Sequence, residues 1–182
     1  MNRCIALLLA LLCASLTVSS ACVAASGDWI EFDLRPTNNS NRIYASFSDE
    51  RGRNDNHWST DFAPSELAGL DLAGFRGAGS RPLRFALTRE AGRLDCSGNG
   101  GNSYAAGYCS FTADPAFAQL LESQGIARPT QEQGFGLMAV NVRRELVQAI
   151  ATAHYPAPSI DNLMALSALN VTGAYISEMA RA

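Results

Sequence analysis

Apolar and polar residues alternate with a period of two through the first half of the chain. Three segments show this spacing, with apolar residues at Ile30, Phe32 and Leu34, at Ile43, Ala45 and Phe47, and at Leu83, Phe85 and Leu87. Strict alternation is typical of β-strands that bury one face and expose the other. The pattern therefore predicts an antiparallel β-sheet region over residues 26–112.

The stretches between these strands are polar or rich in glycine, which predicts turns and loops. Residues 38–41 predict the turn between the first two strands and residues 91–92 a short connection, because asparagine, serine and glycine tolerate turn geometry. Residues 49–56 predict an exposed loop, and residues 64–70 a single helical turn that covers the sheet. The glycine-rich run that begins at Ser97 predicts a longer loop over residues 97–107.

The apolar period changes to that of a helix near Asp114. Asp114 is a favourable N-cap, Pro115 suits the first helical position, and Gly125 suits a helix end. Thr130 followed by Gln133 fits a capping box. The pattern predicts a helical region over residues 113–182, with a first helix from Pro115 and further helices over 131–139, 143–153, 160–168 and 173–180.

The helical region also repeats itself at a fixed offset of 29 residues (168 − 139). Ala-Val-Asn-Val at 139–142 returns as Ala-Leu-Asn-Val at 168–171, and the apolar positions of the following helix return as well. Fixed-period similarity indicates a stacked structural unit. We expect Asn141 and Asn170 to sit at the corners of this unit and to cap the next helix. The predicted fold class is α+β, an N-terminal antiparallel β-sheet followed by a small α-helical repeat.

The first 25 residues have the pattern of a cleaved signal peptide. Arg3 is followed by an apolar run and then by small residues up to a cut before Ser26. An alternative makes Cys22 a lipid-anchored N-terminus, although Ser19 stands where lipoproteins usually carry leucine. Either interpretation predicts a periplasmic or secreted protein, with no transmembrane segment in the mature chain.

The cysteines and charges narrow the possible chemistry further. The mature chain keeps only Cys96 and Cys109, and an even count in an oxidising compartment predicts one disulfide between them. We expect no metal site, because His57 and His154 lie far from these cysteines in sequence, and no cofactor. The net charge is −3 with interspersed charges, which argues against nucleic-acid binding.

Five residues are candidates for contact with a partner. Arg89, Glu90 and Arg93 flank the predicted hairpin turn, where the alternative is a solvated end with weak ion pairs. His57 and Trp58 lie in a polar stretch, where the alternatives are an exposed histidine and a core tryptophan. The sequence predicts no catalytic residues, since no nucleophile-elbow motif accompanies them.

A resemblance to a known family rests on several of these segments. Residues 67–70, 84–92 and 111–117 resemble a module of bacterial extracytoplasmic proteins, and residues 161–166 and 170–172 resemble its repeats. The same module is similar to the tail attached to membrane metallopeptidases of the BlaR/MecR-like antirepressor type. The resemblance implies a sensing or interaction module. It implies no peptidase activity, because this chain lacks the His-Glu-x-x-His helix and the membrane spans of the peptidase part.

The sequence thus predicts a non-catalytic interaction module of the periplasm or the extracellular space. Its partner would be another envelope or secreted protein, and its role would be in envelope signalling or sensing. Two alternatives remain open. One is a secreted hydrolase with a site near His57 and Asp61, and the other is a module that binds a small ligand with residues 97–107.

Overall fold

The computed structural model describes residues 29–49 and 56–181 and has an α+β fold, so the predicted class is confirmed. The strands are β1 (Trp29–Pro36), β2 (Ile43–Asp49), β3 (Asn56–Phe62), β4 (Arg81–Arg89), β5 (Gly92–Gly101) and β6 (Tyr104–Ala113). The helices are α1 (Leu72–Arg76), α2 (Pro115–Ser123), α3 (Gln131–Ala139), α4 (Arg144–Thr152), α5 (Ile160–Ala168) and α6 (Gly173–Met179), with a 3-10 turn at Pro64–Glu66. The predicted signal peptide and Cys22 lie outside the described residues.

The six strands form one antiparallel sheet in the order β3-β2-β1-β6-β5-β4. Each half of the sheet is a three-stranded meander, and β1 pairs with β6 to join the halves at the centre. β3 and β4 are therefore the edge strands. Ala68 partly covers the β4 edge through an isolated bridge to Ala86.

One face of the sheet is buried beneath the helices, and the other is polar. The buried face carries the alternating apolar residues of the sequence pattern, among them Ile30, Phe32, Leu34, Phe47, Phe85 and Leu94. They join Phe117, Leu121 and Leu137 of the helices in one continuous hydrophobic core. Sheet and helices thus share a core, and the division near residue 113 stays a prediction.

The predicted loop over residues 97–107 is wrong, because the glycine-rich segment continues as strand. Only Asn102 and Ser103 form the turn, both with positive φ (54° and 61°). Gly98 lies opposite Gly107, and a Cβ at Gly98 would overlap the carbonyl oxygen of Ala106. Glycine therefore allows β5 and β6 to approach closely here and does not mark a loop.

The disulfide between Cys96 and Cys109 is present, as predicted. The two residues lie directly opposite each other on β5 and β6, and their Cα atoms are 4.0 Å apart. Both residues are buried on the helix-covered face. The bond therefore links adjacent strands inside the core.

The helix starts follow the predicted caps. The Asp114 carboxylate accepts a hydrogen bond from the backbone N–H of Phe117 at 2.6 Å. Thr130 and Gln133 form the reciprocal capping box, with distances of 3.1 and 3.0 Å. Such caps satisfy backbone donors that the first helical turn leaves unpaired. The observed bounds of α3 and α5 equal the predicted ones.

Asn141 and Asn170 occupy the corners after α3 and α5, but they do not cap the next helix, so that expectation is wrong. Both adopt left-handed backbone conformations, with φ of 57° and 58°. α4 begins without a side-chain cap at Arg143, and α6 is capped by the Thr172 hydroxyl. Asparagine tolerates positive φ better than most residues, so each one serves to end the preceding helix.

Two elements were missing from the sequence prediction, namely β3 and α1. β3 begins at Asn56 and pairs along β2, although its residues are mostly polar. The predicted loop over residues 49–56 is bounded by β2 and β3, and its residues 50–55 lie outside the described part. The predicted helical turn at 64–70 shortens to Pro64–Glu66.

Within the described residues, each helix is too short or too polar to cross a membrane.

Candidate functional site

A groove of about 580 Å³ lies between the edge strand β3 and helices α3 and α5. Its apolar lining consists of Trp58, Phe135, Gly136, Ala139, Val140 and Met164. Its polar rim consists of His57, Thr130, Glu132, Gln133 and Asp161. Two of the candidate residues from the sequence, His57 and Trp58, therefore belong to one concave surface.

Trp58 forms the sheet side of the groove and is half-buried. Its ring stacks on Phe47 with centroids 5.1 Å apart, and it meets Phe62 edge-on at 5.6 Å. Such aromatic pairs are worth about 0.5–1.5 kcal/mol beyond the area they bury. Trp58 is thus both a core residue and a groove residue, with its orientation fixed by its neighbours.

The helical side of the groove depends on a glycine in α3. Gly136 has no side chain to fill the space, and a Cβ built there would lie 2.6 Å from the Met164 sulfur of α5. Phe135 next to it is buried and packs against Phe111 of the sheet, with centroids 5.9 Å apart. The groove is therefore apolar at its base and is bounded by a flexible, polarizable methionine.

The rim of the groove carries more acidic than basic groups. Glu132 and Asp161 are exposed at the first turns of α3 and α5, where their charge favours the helix dipoles. His57 is exposed at the β3 side. Among the described residues, no group of three His, Cys, Asp or Glu side chains could hold a metal ion.

His57 and Asp61 do not form a joint site. They lie on one strand four positions apart, which separates them by about 13 Å at the usual rise of a strand. Both are exposed on the same sheet face, where His57 pairs with Ser48 and Asp61 with Tyr44. The Asp61 backbone carbonyl accepts a hydrogen bond from the Arg42 guanidinium. The geometry thus lends no support to the hydrolase alternative.

Arg89, on β4, lies next to the Trp58 ring and links the sheet to the end of α3. Its Nη1 donates to the backbone carbonyls of Met138 and Ala139 at 2.9 and 2.6 Å. Its guanidinium carbon lies 4.9 Å from the Trp58 ring centroid and 5.6 Å from that of Phe62. Burial lowers the pKa of Arg89 from its usual value, and the nearby Glu66 carboxylate opposes this shift. A cation here complements the negative end of the helix.

Glu90, the next residue, binds the beginning of α4. Its carboxylate accepts a hydrogen bond from the backbone N–H of Arg144 at 2.6 Å. This replaces the cap that Arg143 does not supply. The β4–β5 turn therefore binds the end of α3 with a cation and the start of α4 with an anion. We call this pair of residues, Arg89 and Glu90, the turn clamp.

Removing the Glu90 carboxylate of the turn clamp should lower the free energy of unfolding. We expect Glu90→Ala to lower the free energy of unfolding by about 1 kcal/mol, the usual cost of a lost N-cap. Urea unfolding followed by tryptophan fluorescence measures the change. Glu178→Ala, an exposed acidic residue of α6, serves as the control and should change stability much less. Equal effects of the two substitutions would contradict the capping role.

Arg93 lies apart from the groove, on the exposed face of the sheet. Its Nε donates to both carboxylate oxygens of Asp95 at 2.9 and 3.0 Å, and its Nη1 donates to the Thr88 hydroxyl at 3.2 Å. The hydrogen bonds to Asp95 raise the pKa of Arg93. Its charge is therefore paired on its own strand.

The helical lining of the groove was not predictable from the sequence. Phe135 and Met164 stand at apolar positions of the helical pattern. Such positions indicate a buried helix face, but they do not distinguish a core residue from a residue that lines a groove. Their convergence with Trp58 depends on how α3 and α5 pack on the edge of the sheet.

Comparison with known proteins adds no relative, since no family model, curated protein or solved structure matches this chain.

Proposed function

We propose that this protein is a non-catalytic interaction module of the periplasm or the extracellular space, which binds an extended segment of another envelope or secreted protein in the β3–α3–α5 groove. The observation that carries the proposal is the position of the groove, an apolar cleft directly beside an edge strand. Envelope signalling or sensing would be its biological setting, as the family resemblance implies.

The edge of β3 provides backbone groups for a bound segment. Within the described sheet, β3 has a strand partner on one side only, which is β2. An extended peptide can add to such an edge, with main-chain hydrogen bonds giving affinity and side-chain pockets giving specificity. The groove offers a pocket of this kind at Trp58.

The lining and rim indicate the chemistry of the bound segment. Trp58, Phe135 and Met164 would accept an apolar side chain, and rigid aromatic walls reduce the ordering cost of binding. Glu132 and Asp161 would favour a lysine or arginine next to it. The proposed occupant is therefore a strand-forming segment with an apolar anchor beside a basic residue.

The proposed compartment agrees with the covalent chemistry of the chain. A disulfide between Cys96 and Cys109 persists in oxidising compartments and is rare in the cytosol of most organisms. The predicted signal peptide leads to the same compartments.

The helical half supports an interaction role if α3–α4 and α5–α6 are copies of one unit, as we propose. Their first helices are nine residues long and start 29 positions apart (160 − 131). The corner asparagines share the same backbone conformation. Units of this kind stack and present continuous helical faces to partners.

A peptide selection tests the proposed function directly. A random peptide library is selected on the wild-type mature protein alone, and the recovered peptides are then measured on Glu132→Lys/Asp161→Lys. We expect the recovered peptides to share an apolar residue beside lysine or arginine. We also expect them to bind the charge-reversed variant about tenfold more weakly, a difference of about 1.4 kcal/mol.

The matched control is Glu122→Lys/Glu178→Lys, which reverses two exposed acidic residues outside the groove. It changes the net charge by the same amount, so it should bind the peptides like the wild type. Thermal melts must show that both double variants fold. Peptides that bind both variants equally, or a selection that yields no binder, would overturn the proposal.

A further inference from the structure

The sheet face opposite the helices carries two tyrosines that are 49% exposed, Tyr104 and Tyr108. Both lie on β6 and point to the same face, because they are four positions apart. The strand rise places them about 13 Å apart. Ala106 lies between them, and its small side chain leaves the space between the two rings open. The arrangement presents two aromatic rings along one straight line.

Polar groups surround the two rings in a shallow cleft of about 530 Å³. Ser97 and Asn99 of β5 line one side, and Glu31 of β1 lines the other. Hydroxyl, amide and carboxylate groups offer both donors and acceptors. The cleft therefore combines hydrogen-bonding groups with the two separated aromatic rings.

Two ion pairs lie on this face, each within a single strand. The Arg35 Nε donates to the Asp33 carboxylate at 2.6 Å on β1. Arg93 is paired with Asp95 on β5 at 2.7 Å. Pairs of opposite charge on single strands produce no strong field of one sign, so the face is unsuited to recognise a ligand by its net charge.

The two strands that carry the cleft are held rigidly. Cys96 is bonded to Cys109, and two positions further on Gly98 and Gly107 lie in close backbone contact. The spacing of the tyrosines is thus fixed before any ligand arrives. A preformed surface loses little conformational entropy on binding.

We propose that this face binds a linear, uncharged glycan that runs along β6. Each tyrosine ring would stack on the C–H face of a sugar, while Ser97, Asn99 and Glu31 would bind sugar hydroxyls. Sugars combine apolar C–H faces with many hydroxyls, and the cleft combines separated rings with many polar groups. A protein partner would instead require a contiguous desolvated patch at the centre of its interface.

Titration calorimetry with two neutral hexasaccharides, chitohexaose and cellohexaose, tests the inference on the mature protein. We expect the wild type to bind at least one of them saturably, with a Kd below about 1 mM. Tyr104→Ala and Tyr108→Ala should each weaken binding about fivefold to tenfold, because each removes one stacked ring. Tyr104→Phe retains the ring and should bind like the wild type.

The controls separate this site from the groove. Tyr155→Ala removes an equally exposed tyrosine from the α4–α5 connection and should leave glycan binding unchanged. Glu132→Lys/Asp161→Lys should also bind glycan normally, so failure of one proposal does not entail failure of the other. No saturable binding of either hexasaccharide by the wild type would overturn the inference. So would equal binding by the Tyr104→Ala/Tyr108→Ala double variant, or binding restricted to an anionic polysaccharide and lost in salt.

Discussion

Replacing both Cys96 and Cys109 by alanine is expected to lower the free energy of unfolding by about 3 kcal/mol. The disulfide closes a loop between residues 13 positions apart, and a loop of this length stabilises by about that amount through the chain entropy of the unfolded state. Both residues are buried, so alanine also leaves small voids in the core. Guanidinium unfolding of the oxidised wild type and the double variant measures the difference.

Reduction of the wild type provides an independent check on the disulfide. Wild-type protein unfolded in excess dithiothreitol should be nearly as unstable as the double variant, while reductant should not affect the variant itself. A loss below about 1 kcal/mol in the double variant would show that the bond contributes little to stability. The sheet would then depend mainly on its strand pairing and packing.

Arg89→Met is expected to lower the free energy of unfolding by about 2–3 kcal/mol. The substitution keeps an apolar stem but leaves the carbonyls of Met138 and Ala139 without the donor they have now. Hydrogen bonds to a charged group contribute about 1.5–3 kcal/mol each, and the cation–π contact with Trp58 about 0.5–1 kcal/mol more. Part of this gain is offset because the wild-type guanidinium is desolvated.

The matched control for this prediction is Arg128→Met. The Arg128 side chain is 71% exposed and lies 3.6 Å from the Glu122 carboxylate, a contact that contributes less than about 1 kcal/mol. Urea unfolding of both variants measures the free energy of unfolding and so compares the half-buried Arg89 with the exposed Arg128. A loss in Arg89→Met no larger than in Arg128→Met would contradict a bridging role for Arg89.

Helices α2 to α6 were predictable because local signals mark their starts or their buried faces, whereas α1 has no side-chain cap. Asp114 and Thr130 announce helix starts through side chains that reach only three residues along the chain. The apolar period of α4 identifies its buried face, with Leu146, Val147 and Ile150 all covered. The Asp114 cap is kept in the structure even though the Arg144 guanidinium also donates to the same carboxylate oxygen at 3.1 Å.

The strands were predictable only where side chains alternate. β5 and β6 extend through Gly98 and Gly107, where glycine provides no alternating pattern and the strand is explained by close contact between two backbones. β3 was missed because the polar Thr60 interrupts the apolar face that Trp58 and Phe62 form. A polar edge strand takes its structure from its neighbour β2, which the local sequence does not reveal.

The candidate sites were predictable only in part. His57, Trp58 and Arg89 were singled out from the sequence, but their placement depends on contacts between residues far apart. Arg89 meets the end of α3 across 50 positions, and no local pattern specifies that contact. The sequence did not predict that Tyr104 and Tyr108 share a face of β6. Residues 97–107 were predicted to be a loop, and side chains in a loop cannot be assigned to the two faces of a sheet.

The pairing of β1 with β6 affects how the chain can fold. Ile30 lies opposite Cys109, 79 positions later (109 − 30), so the middle of the sheet requires closure of a very long segment. Such non-local contacts raise the contact order and slow folding. The first two strands can form a hairpin early, but they acquire their central neighbour only when β6 reaches them. The centre of the sheet is therefore completed late in folding, after both outer hairpins can have formed.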